Sequence, residues 1–269
     1  MTRTTIAVSR IFPALTLCFF AGIAGAQDSG PWSGKVAAGY LASSGNTDTT
    51  AFTFDSEINY DVNKWHNNLI GRAILQSADN DATAEAYKLA YNLKYDLTER
   101  TYLFGLLDYN NNRFSSFDQQ MFEVVGVGRR FIVSEKHNLS GEVGIGASQS
   151  DFRDCKLDDA LAVGADPDTY CGPPQPAPFG TSENEVTYRA SGEYTWQISE
   201  NASFLQRLAV NVGSANTRTE SLTELRAGVV GDIALVLSYT IVNNSDVAPG
   251  TDKTDTFPAI SLEYAFGQE

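Results

Sequence analysis

Large apolar side chains occupy every second position between Ala84 and Thr101. A period of two is typical of a β-strand with one apolar face and one polar face. A helix would spread the same side chains around its whole circumference and leave no face to bury. The stretch therefore predicts a strand whose apolar positions are Tyr87, Leu89, Tyr91, Leu93, Tyr95 and Leu97.

The same alternation recurs along the chain and predicts about twelve strands. For the fifth and sixth strands the alternation does not show which face points inward. In the fifth, the large apolar residues Tyr102, Leu103 and Phe104 are consecutive, and in the sixth, the charged residues Glu123 and Arg130 lie on opposite faces. The predicted strands are 32–42, 52–62, 68–76, 84–97, 101–110, 121–133, 139–148, 186–196, 203–212, 224–229, 235–241 and 255–266.

Connection lengths favour one all-β architecture over another. Every second connection is short, whereas most of the others are longer, and the longest runs from Ser150 to Glu183. Short turns at one end and long loops at the other are typical of an outer-membrane barrel. We therefore expect residues 27–269 to form an antiparallel transmembrane β-barrel with a long outer loop at 150–183. The alternative is a soluble sandwich whose apolar faces pack together while its charges face solvent.

Two sets of side chains agree with the barrel. Charged residues of both signs recur on the inner faces, where a soluble core would require each to be paired. Aromatic residues recur at strand ends near the short turns, as in an interfacial girdle. The predicted girdle consists of Trp32, Tyr60, Trp65, Tyr95, Trp196, Phe204, Tyr264 and Phe266. The predicted lumen-lining residues are Lys35, Asp55, Glu57, Arg72, Lys88, Lys94, Glu142, Arg189, Glu193, Arg207, Glu224, Arg226, Asp255 and Glu263.

The first 26 residues read as a signal peptide. Arg3 and Arg10 precede a mostly apolar stretch that ends in Ala24-Gly25-Ala26, so we expect cleavage before Gln27. An uncleaved anchor is the alternative. Elsewhere the cleanest apolar run, Ile233 to Val242, is about half the length of a membrane-spanning helix. Export and the barrel together predict the outer membrane of a Gram-negative cell.

Export also gives the cysteines a role, because an oxidising compartment allows Cys155 and Cys171 to form a disulfide. Metal binding by these two cysteines, with no histidine nearby, is the weaker alternative. Without the signal peptide, 17 basic and 33 acidic residues give a formal charge of −16, which disfavours nucleic acid as a partner. Acidic clusters around Asp79, Asp81 and Glu85 and within 151–168 leave weak divalent-cation binding open.

Several short motifs occur in an order that resembles a known family. They are Ser44-Gly45-Asn46-Thr47, Tyr102-Leu103-Phe104-Gly105 followed by Asn112-Arg113-Phe114-Ser115, Gly126-Val127-Gly128, and Leu262-Glu263-Tyr264-Ala265-Phe266. From Trp32 to Phe266 the chain resembles the salt-induced outer-membrane proteins, the YdiY-like family, catalogued as a domain of unknown function. The resemblance implies an outer-membrane β-barrel associated with salt or envelope stress, without an established activity. The loop 150–183 looks like an insertion in this family.

The residues for catalysis are sparse. His66 and His137 are predicted in short turns, where they read as solvated residues rather than catalytic bases. Gly39, Gly45 and Gly126 open no helix and so predict no phosphate-binding loop. We expect no enzymatic activity, no catalytic residue, no metal and no cofactor, although a hydrolase that uses carboxylates alone stays open.

Two further functions remain. A channel is one, since twelve strands enclose more room than eight, and Arg72, Lys88, Lys94, Arg189 and Arg207 would favour anionic solutes. Lumen charges of opposite sign would instead close the barrel if they paired across it. A structural or docking role is the other, with loops that contact lipopolysaccharide, cations or a partner protein. We expect contact with outer-membrane lipid and assembly by the barrel-assembly machinery, and the sequence does not predict an oligomeric state.

Overall fold

The protein is described by a computed structural model that covers residues 30–43, 49–79, 81–113, 115–155, 161, 163–164, 171, 178–248 and 251–267. The predicted signal peptide 1–26, the Ser44-Gly45-Asn46-Thr47 motif and most of the loop 150–183 lie outside the described residues.

The described residues fold into twelve β-strands, which confirms the all-β prediction. The strands are β1 (Trp32–Ser43), β2 (Thr49–Val62), β3 (Trp65–Ala78), β4 (Asp81–Asp96), β5 (Thr101–Asn112), β6 (Phe117–Val133), β7 (His137–Phe152), β8 (Ser182–Ser199), β9 (Ala202–Val212), β10 (Thr217–Val230), β11 (Ile233–Asn244) and β12 (Thr254–Phe266).

Each strand pairs antiparallel with the next, and β12 pairs with β1 to close a barrel. The closing ladder runs from Gly34 opposite Phe266 to Ala38 opposite Leu262. Closure leaves no open sheet edge, so the backbone hydrogen bonds of a membrane-spanning sheet are satisfied within the sheet. The predicted antiparallel transmembrane β-barrel is confirmed.

Tight turns join the strands at one end, which we call the short-turn end. The β2–β3 turn contains Asn63, with a φ of 54°, and the β10–β11 turn contains Gly231, with a φ of 53°. These left-handed backbone conformations favour glycine and asparagine. The other end, the long-loop end, holds the β7–β8 and β11–β12 loops. The sequence pattern left residues 77–83 as a polar loop between the predicted strands 68–76 and 84–97, and this is wrong, because β3 and β4 extend until only Asp79 and Asn80 separate them.

The outer surface of the barrel is apolar. Side chains such as Leu89, Val143 and Leu262 are 54%, 59% and 60% exposed, respectively. Among the described residues, no helix has the length and apolar character needed to cross a membrane. The apolar positions alternate along each strand with residues that point into the barrel, so the same pleat supplies a lipid-compatible outside and a polar inside.

Candidate functional site: a charged chamber in the lumen

The strand pleat directs charged side chains into the barrel interior. Each of the 14 residues predicted to line the lumen makes a polar contact with another side chain there, and none is isolated. The residues are Lys35, Asp55, Glu57, Arg72, Lys88, Lys94, Glu142, Arg189, Glu193, Arg207, Glu224, Arg226, Asp255 and Glu263.

An ion pair crosses the middle of the lumen. The Nζ atom of Lys88, on β4, lies 2.8 Å from both carboxylate oxygens of Glu220, on β10. These strands are six apart in either direction around the barrel, so the two side chains reach toward each other from opposite walls. Arg218 lies 3.5 Å from Glu220, and Asp108 lies 3.4 Å from Lys88. We call Lys88, Asp108, Arg218 and Glu220 the lumen bridge.

A second layer of charges lies nearer the short-turn end. Arg207 donates to Glu193 at 2.5 Å and lies 3.8 Å from Glu57 on β2. Lys35 stands between Glu57, Glu224 and Glu263 at 3.7 to 3.8 Å. Each cation in this layer therefore faces more than one carboxylate, and the layer links β1, β2, β8, β9, β10 and β12 across the interior.

One wall of the lumen is apolar, a feature that the sequence did not assign. Tyr102, Phe104 and Leu106 of β5 pack with Phe122 and Val124 of β6 in a buried cluster. Tyr102 is 1% exposed, and its hydroxyl donates to Glu142 at 3.0 Å. The opposite faces of these strands point outward and carry Glu123 and Arg129, whereas Arg130 points inward and pairs with Asp96 at 2.9 Å.

Three loops meet over the long-loop end of the barrel. The buried Arg153 donates through Nε to the carbonyl of Ser115 and through Nη2 to Thr251, each at 3.1 Å. Its guanidinium also lies 5.5 Å from the ring centre of Phe179. The backbone N–H of Ala248 donates to Ser116 Oγ at 2.8 Å. These contacts join the β5–β6, β7–β8 and β11–β12 loops into a cover.

The predicted disulfide lies in the β7–β8 loop. Cys155 and Cys171 are bonded, with their Cα atoms 5.4 Å apart, which confirms the pairing inferred from export. Closing this loop in the unfolded chain contributes about 3 kcal/mol to stability in the chain-entropy description. The bond follows two residues after Arg153, so it restrains the segment that carries the buried guanidinium.

A cavity of about 380 Å³ occupies the lumen below the bridge. Its lining extends from Asp61 and His66, beside the β2–β3 turn, to Lys88 and Glu220. We call this cavity the chamber. Its lining reaches the short-turn end, and the lumen bridge and the loop cover lie between it and the other end of the barrel.

The positions and contacts of the two histidines differ from the prediction. His66 is the second residue of β3 rather than a turn residue, and its two ring nitrogens lie 2.8 Å from Asp61 and 3.0 Å from Asp96. His137 is the first residue of β7 and hydrogen-bonds the hydroxyl of Tyr194 at 2.8 Å. Both are therefore held by neighbouring side chains. Among the described residues, no three His, Cys, Asp or Glu side chains form a group that could hold a metal ion.

Aromatic side chains surround the short-turn end on the outer surface. Trp32 packs on Tyr60 and Trp65 packs on Tyr95, with ring centres 4.5 Å and 4.7 Å apart. Trp196 is 40% exposed, and the rings of His137 and Trp196 stack. Phe204, Tyr264 and Phe266 occupy outward-facing positions at the same end of β9 and β12. Phe131, 54% exposed on β6, and Tyr194 lie with them and were not predicted.

Comparison with known proteins places the whole barrel in one family. Residues 36–266 match the family described as "Protein of unknown function, DUF481". The chain is also similar to the uncharacterized protein YdiY of Escherichia coli (strain K12). The two are 26% identical over 236 residues, which cover 87% of this chain and 83% of that protein.

Solved structures of similar shape include two porins and a channel. The NanC porin is 13% identical, with a TM-score of 0.45, and the match covers 86% of this chain and 97% of that one. An outer membrane channel from Pseudomonas putida F1 is 13% identical, with a TM-score of 0.47 and coverage of 91% and 98%. The KdgM porin is 6% identical, with a TM-score of 0.41 and coverage of 87% and 99%.

Proposed function

This chain belongs to the DUF481 family of proteins of unknown function, and we propose that it is a closed β-barrel of the outer membrane. In this proposal the protein has a structural role in the cell envelope and no enzymatic activity. The observation that carries the proposal is the ion pair between Lys88 and Glu220, which meets in the middle of the lumen from opposite walls.

The exposed apolar surface supports a membrane environment. Leu89, Val143 and Leu262 are all more than half exposed, and many such side chains together would form an apolar surface far larger than water-soluble monomers carry. The aromatic side chains at the short-turn end match an interfacial girdle. We place the short-turn end in the periplasm and the long-loop end outside, where its loops contact lipopolysaccharide. Insertion by the barrel-assembly machinery belongs to the same proposal.

The way in which the two histidines are held supports the proposed lack of enzymatic activity. Both ring nitrogens of His66 contact carboxylates, so no ring nitrogen of this residue remains to take a proton from a nucleophile. His137 contacts Tyr194 and stacks on aromatic rings at the membrane boundary. A general base needs a ring nitrogen within hydrogen-bond distance of the group that it activates.

Ion conductance tests the closed barrel. We expect residues 27–269, refolded and inserted in a planar bilayer, to show no steady current. A Lys88→Ala, Glu220→Ala double variant removes the ion pair that crosses the lumen. Its frequency of conducting events should be at least tenfold higher than that of the unchanged protein. The matched control is Glu99→Ala, in the exposed β4–β5 turn, which should be as silent as the unchanged protein. A steady current through the unchanged protein equal to that of the double variant would contradict the proposal.

A channel for small solutes is the second candidate, and the chamber favours it. A cavity of about 380 Å³ already extends through the short-turn half of the lumen, so only the bridge and the loop cover would have to move. In that case current would appear as brief openings of the unchanged protein, and the Lys88→Ala, Glu220→Ala variant would prolong them.

A role in salt or envelope stress completes the proposal. We expect a deletion strain to grow more slowly than its parent in high salt and the unchanged gene to restore growth. The Glu99→Ala variant should restore it equally, because this side chain lies outside the barrel interior. Equal growth of parent and deletion strains under salt, detergent and osmotic stress would count against the role.

A further inference from the structure

Arg189 is held in an unusual way on the wall of the chamber. It lies on β8, and its Nη1 atom donates to Asn211 Oδ1 at 3.0 Å. Its Nε atom is buried and has no hydrogen-bond partner among the described residues. A buried N–H without an acceptor destabilises the fold, so the structure leaves a donor that an additional acceptor would satisfy.

The other basic residues of the chamber wall each have a carboxylate partner. Lys94 and Glu142 are 2.8 Å apart, and Arg130 and Asp96 are 2.9 Å apart. The remaining pairs are Arg72 with Asp55, Lys88 with Glu220 and Arg207 with Glu193. Among the described residues, Arg189 is therefore the basic side chain of the wall that has no carboxylate within ion-pair distance.

The carboxylates of the same wall are already matched. Glu142, Glu193 and Glu220 accept from the residues just named, Asp108 lies beside Lys88, Glu57 lies beside Lys35 and Arg207, and Asp61 lies beside His66. A cationic solute would have to break one of these pairs to find a counter-ion. An anionic solute finds Arg189 without breaking any.

The part of the Arg189 guanidinium that does not contact Asn211 has a defined geometry. Asn211 contacts Nη1, so Nε lies on the opposite edge, together with Nη2. These two N–H groups are parallel and match the two oxygens of a carboxylate, which makes a bidentate pair stronger and more directional than a single contact. One unmatched guanidinium also matches one negative charge, which favours a carboxylate over the more highly charged phosphate.

A second unmatched group lies on another part of the wall. Asn92 Oδ1 is buried and has no hydrogen-bond partner among the described residues. An amide oxygen accepts O–H or N–H donors. Asp96 Oδ1 is not a third such group, because Arg130 lies 2.9 Å from it. The residues that line the chamber therefore include one guanidinium N–H and one amide oxygen that are buried and have no hydrogen-bond partner among the described residues.

From these groups we propose that the chamber binds a small monocarboxylate that carries hydroxyl groups. Its carboxylate occupies the Nε–Nη2 edge of Arg189, and its hydroxyl groups face polar groups of the wall that include Asn92 Oδ1. The site rests on the proposed closed barrel, since the bridge separates the chamber from the long-loop end and leaves access from the short-turn end.

Isothermal titration of the refolded chain in detergent micelles tests the site. The probes are gluconate and sorbitol, which differ by a carboxylate in place of one hydroxymethyl group, together with inorganic phosphate. We expect gluconate to bind at least tenfold more tightly than sorbitol and more tightly than phosphate. Arg189→Gln should weaken gluconate binding at least tenfold, and Arg189→Lys should retain part of it, since the charge remains while the paired N–H groups are lost.

The matched control is Arg100→Gln, which makes the same change in the exposed β4–β5 turn and should leave binding unchanged. Equal binding of gluconate and sorbitol by the unchanged protein would overturn the proposal, and this comparison requires no variant to fold. Equal gluconate binding by Arg189→Gln and the unchanged chain, both shown to be folded by circular dichroism, would overturn it too. A current without gluconate would instead contradict the closed barrel and leave the comparison of the two probes intact.

Discussion

Replacing Glu220 by alanine is expected to lower the free energy of unfolding by about 3 kcal/mol, among the largest effects of any single change in this barrel. Glu220 accepts from Lys88 at 2.8 Å and lies 3.5 Å from Arg218, so its removal leaves Lys88 with Asp108 alone and takes away the carboxylate that lies beside Arg218. Removing one partner of a buried pair costs more than the pair contributes, because the remaining charge stays desolvated.

Chemical unfolding in lipid vesicles, followed by tryptophan fluorescence, measures this effect. The matched control is Glu99→Ala, which removes an exposed carboxylate and should change stability by no more than about 0.5 kcal/mol. The loss of unfolding free energy in the Lys88→Ala, Glu220→Ala double variant should be smaller than the sum of the losses in the two single variants. Equal stabilities of Glu220→Ala and Glu99→Ala would show that the lumen bridge does not stabilise the fold.

The barrel itself was predictable because lipid imposes a simple pattern on the strands. Tyr87, Leu89 and Tyr91 face outward and Lys88 and Ala90 face inward, so the alternation seen in the sequence is the alternation of the pleat. The short turns, such as the one between Val62 and Trp65, marked the end of the barrel where the tryptophans cluster. Family membership, predicted from short motifs, is confirmed by the match over residues 36–266.

The faces of β5 and β6 were not predictable from periodicity, for a physical reason. Leu103 and Leu107 face outward while Tyr102, Phe104 and Leu106 form an apolar layer inside the lumen, so both faces are apolar. A period of two is visible only when one face is polar. Glu123 added to the difficulty, since it is a charged residue on the exposed face.

The central part of the site was missed for a related reason. The predicted tenth strand began at Glu224, whereas β10 begins at Thr217 and therefore contains both Arg218 and Glu220. The outward positions of this part of β10 carry hydroxyl residues instead of large apolar ones. Thr223 donates to Gln206 Oε1 at 2.7 Å, and Gln206 donates to Ser221 at 3.0 Å, so these polar groups satisfy one another on the outer surface.

Partners across the lumen depend on geometry that no local pattern contains. Lys88 meets Glu220 because β4 and β10 lie on opposite walls and because the stagger of twelve strands brings these two positions to one level. The sequence predicted that both strands carry inward charges but not which charges meet. The same holds for Arg189. Local sequence does not show that, among the described residues, this side chain has no carboxylate within ion-pair distance.

Replacing Tyr102 by alanine should lower the free energy of unfolding by about 3 to 5 kcal/mol, since a large aromatic ring is removed from a closely packed site. Tyr102 is 1% exposed and packs with Phe104 and the rest of the apolar wall. Its ring also lies 4.9 Å from both Lys94 and Arg130, so the change removes two cation–π contacts as well.

Two further variants separate the ring from its hydroxyl. Tyr102→Phe keeps the ring and loses the hydrogen bond to Glu142, so it should cost about 1 kcal/mol. Gly128→Ala should destabilise the barrel while Tyr102 is still present, because a Cβ atom at Gly128 would lie 2.3 Å from the Tyr102 ring. The same unfolding measurement, with Leu103→Ala on the outward face of β5 as the control, decides the matter. If Tyr102→Ala lowers the free energy of unfolding no more than Tyr102→Phe does, the apolar side chains inside the barrel do not hold β5 and β6 together. In that case the stability of this part of the barrel comes from its backbone hydrogen bonds and its lipid-facing surface.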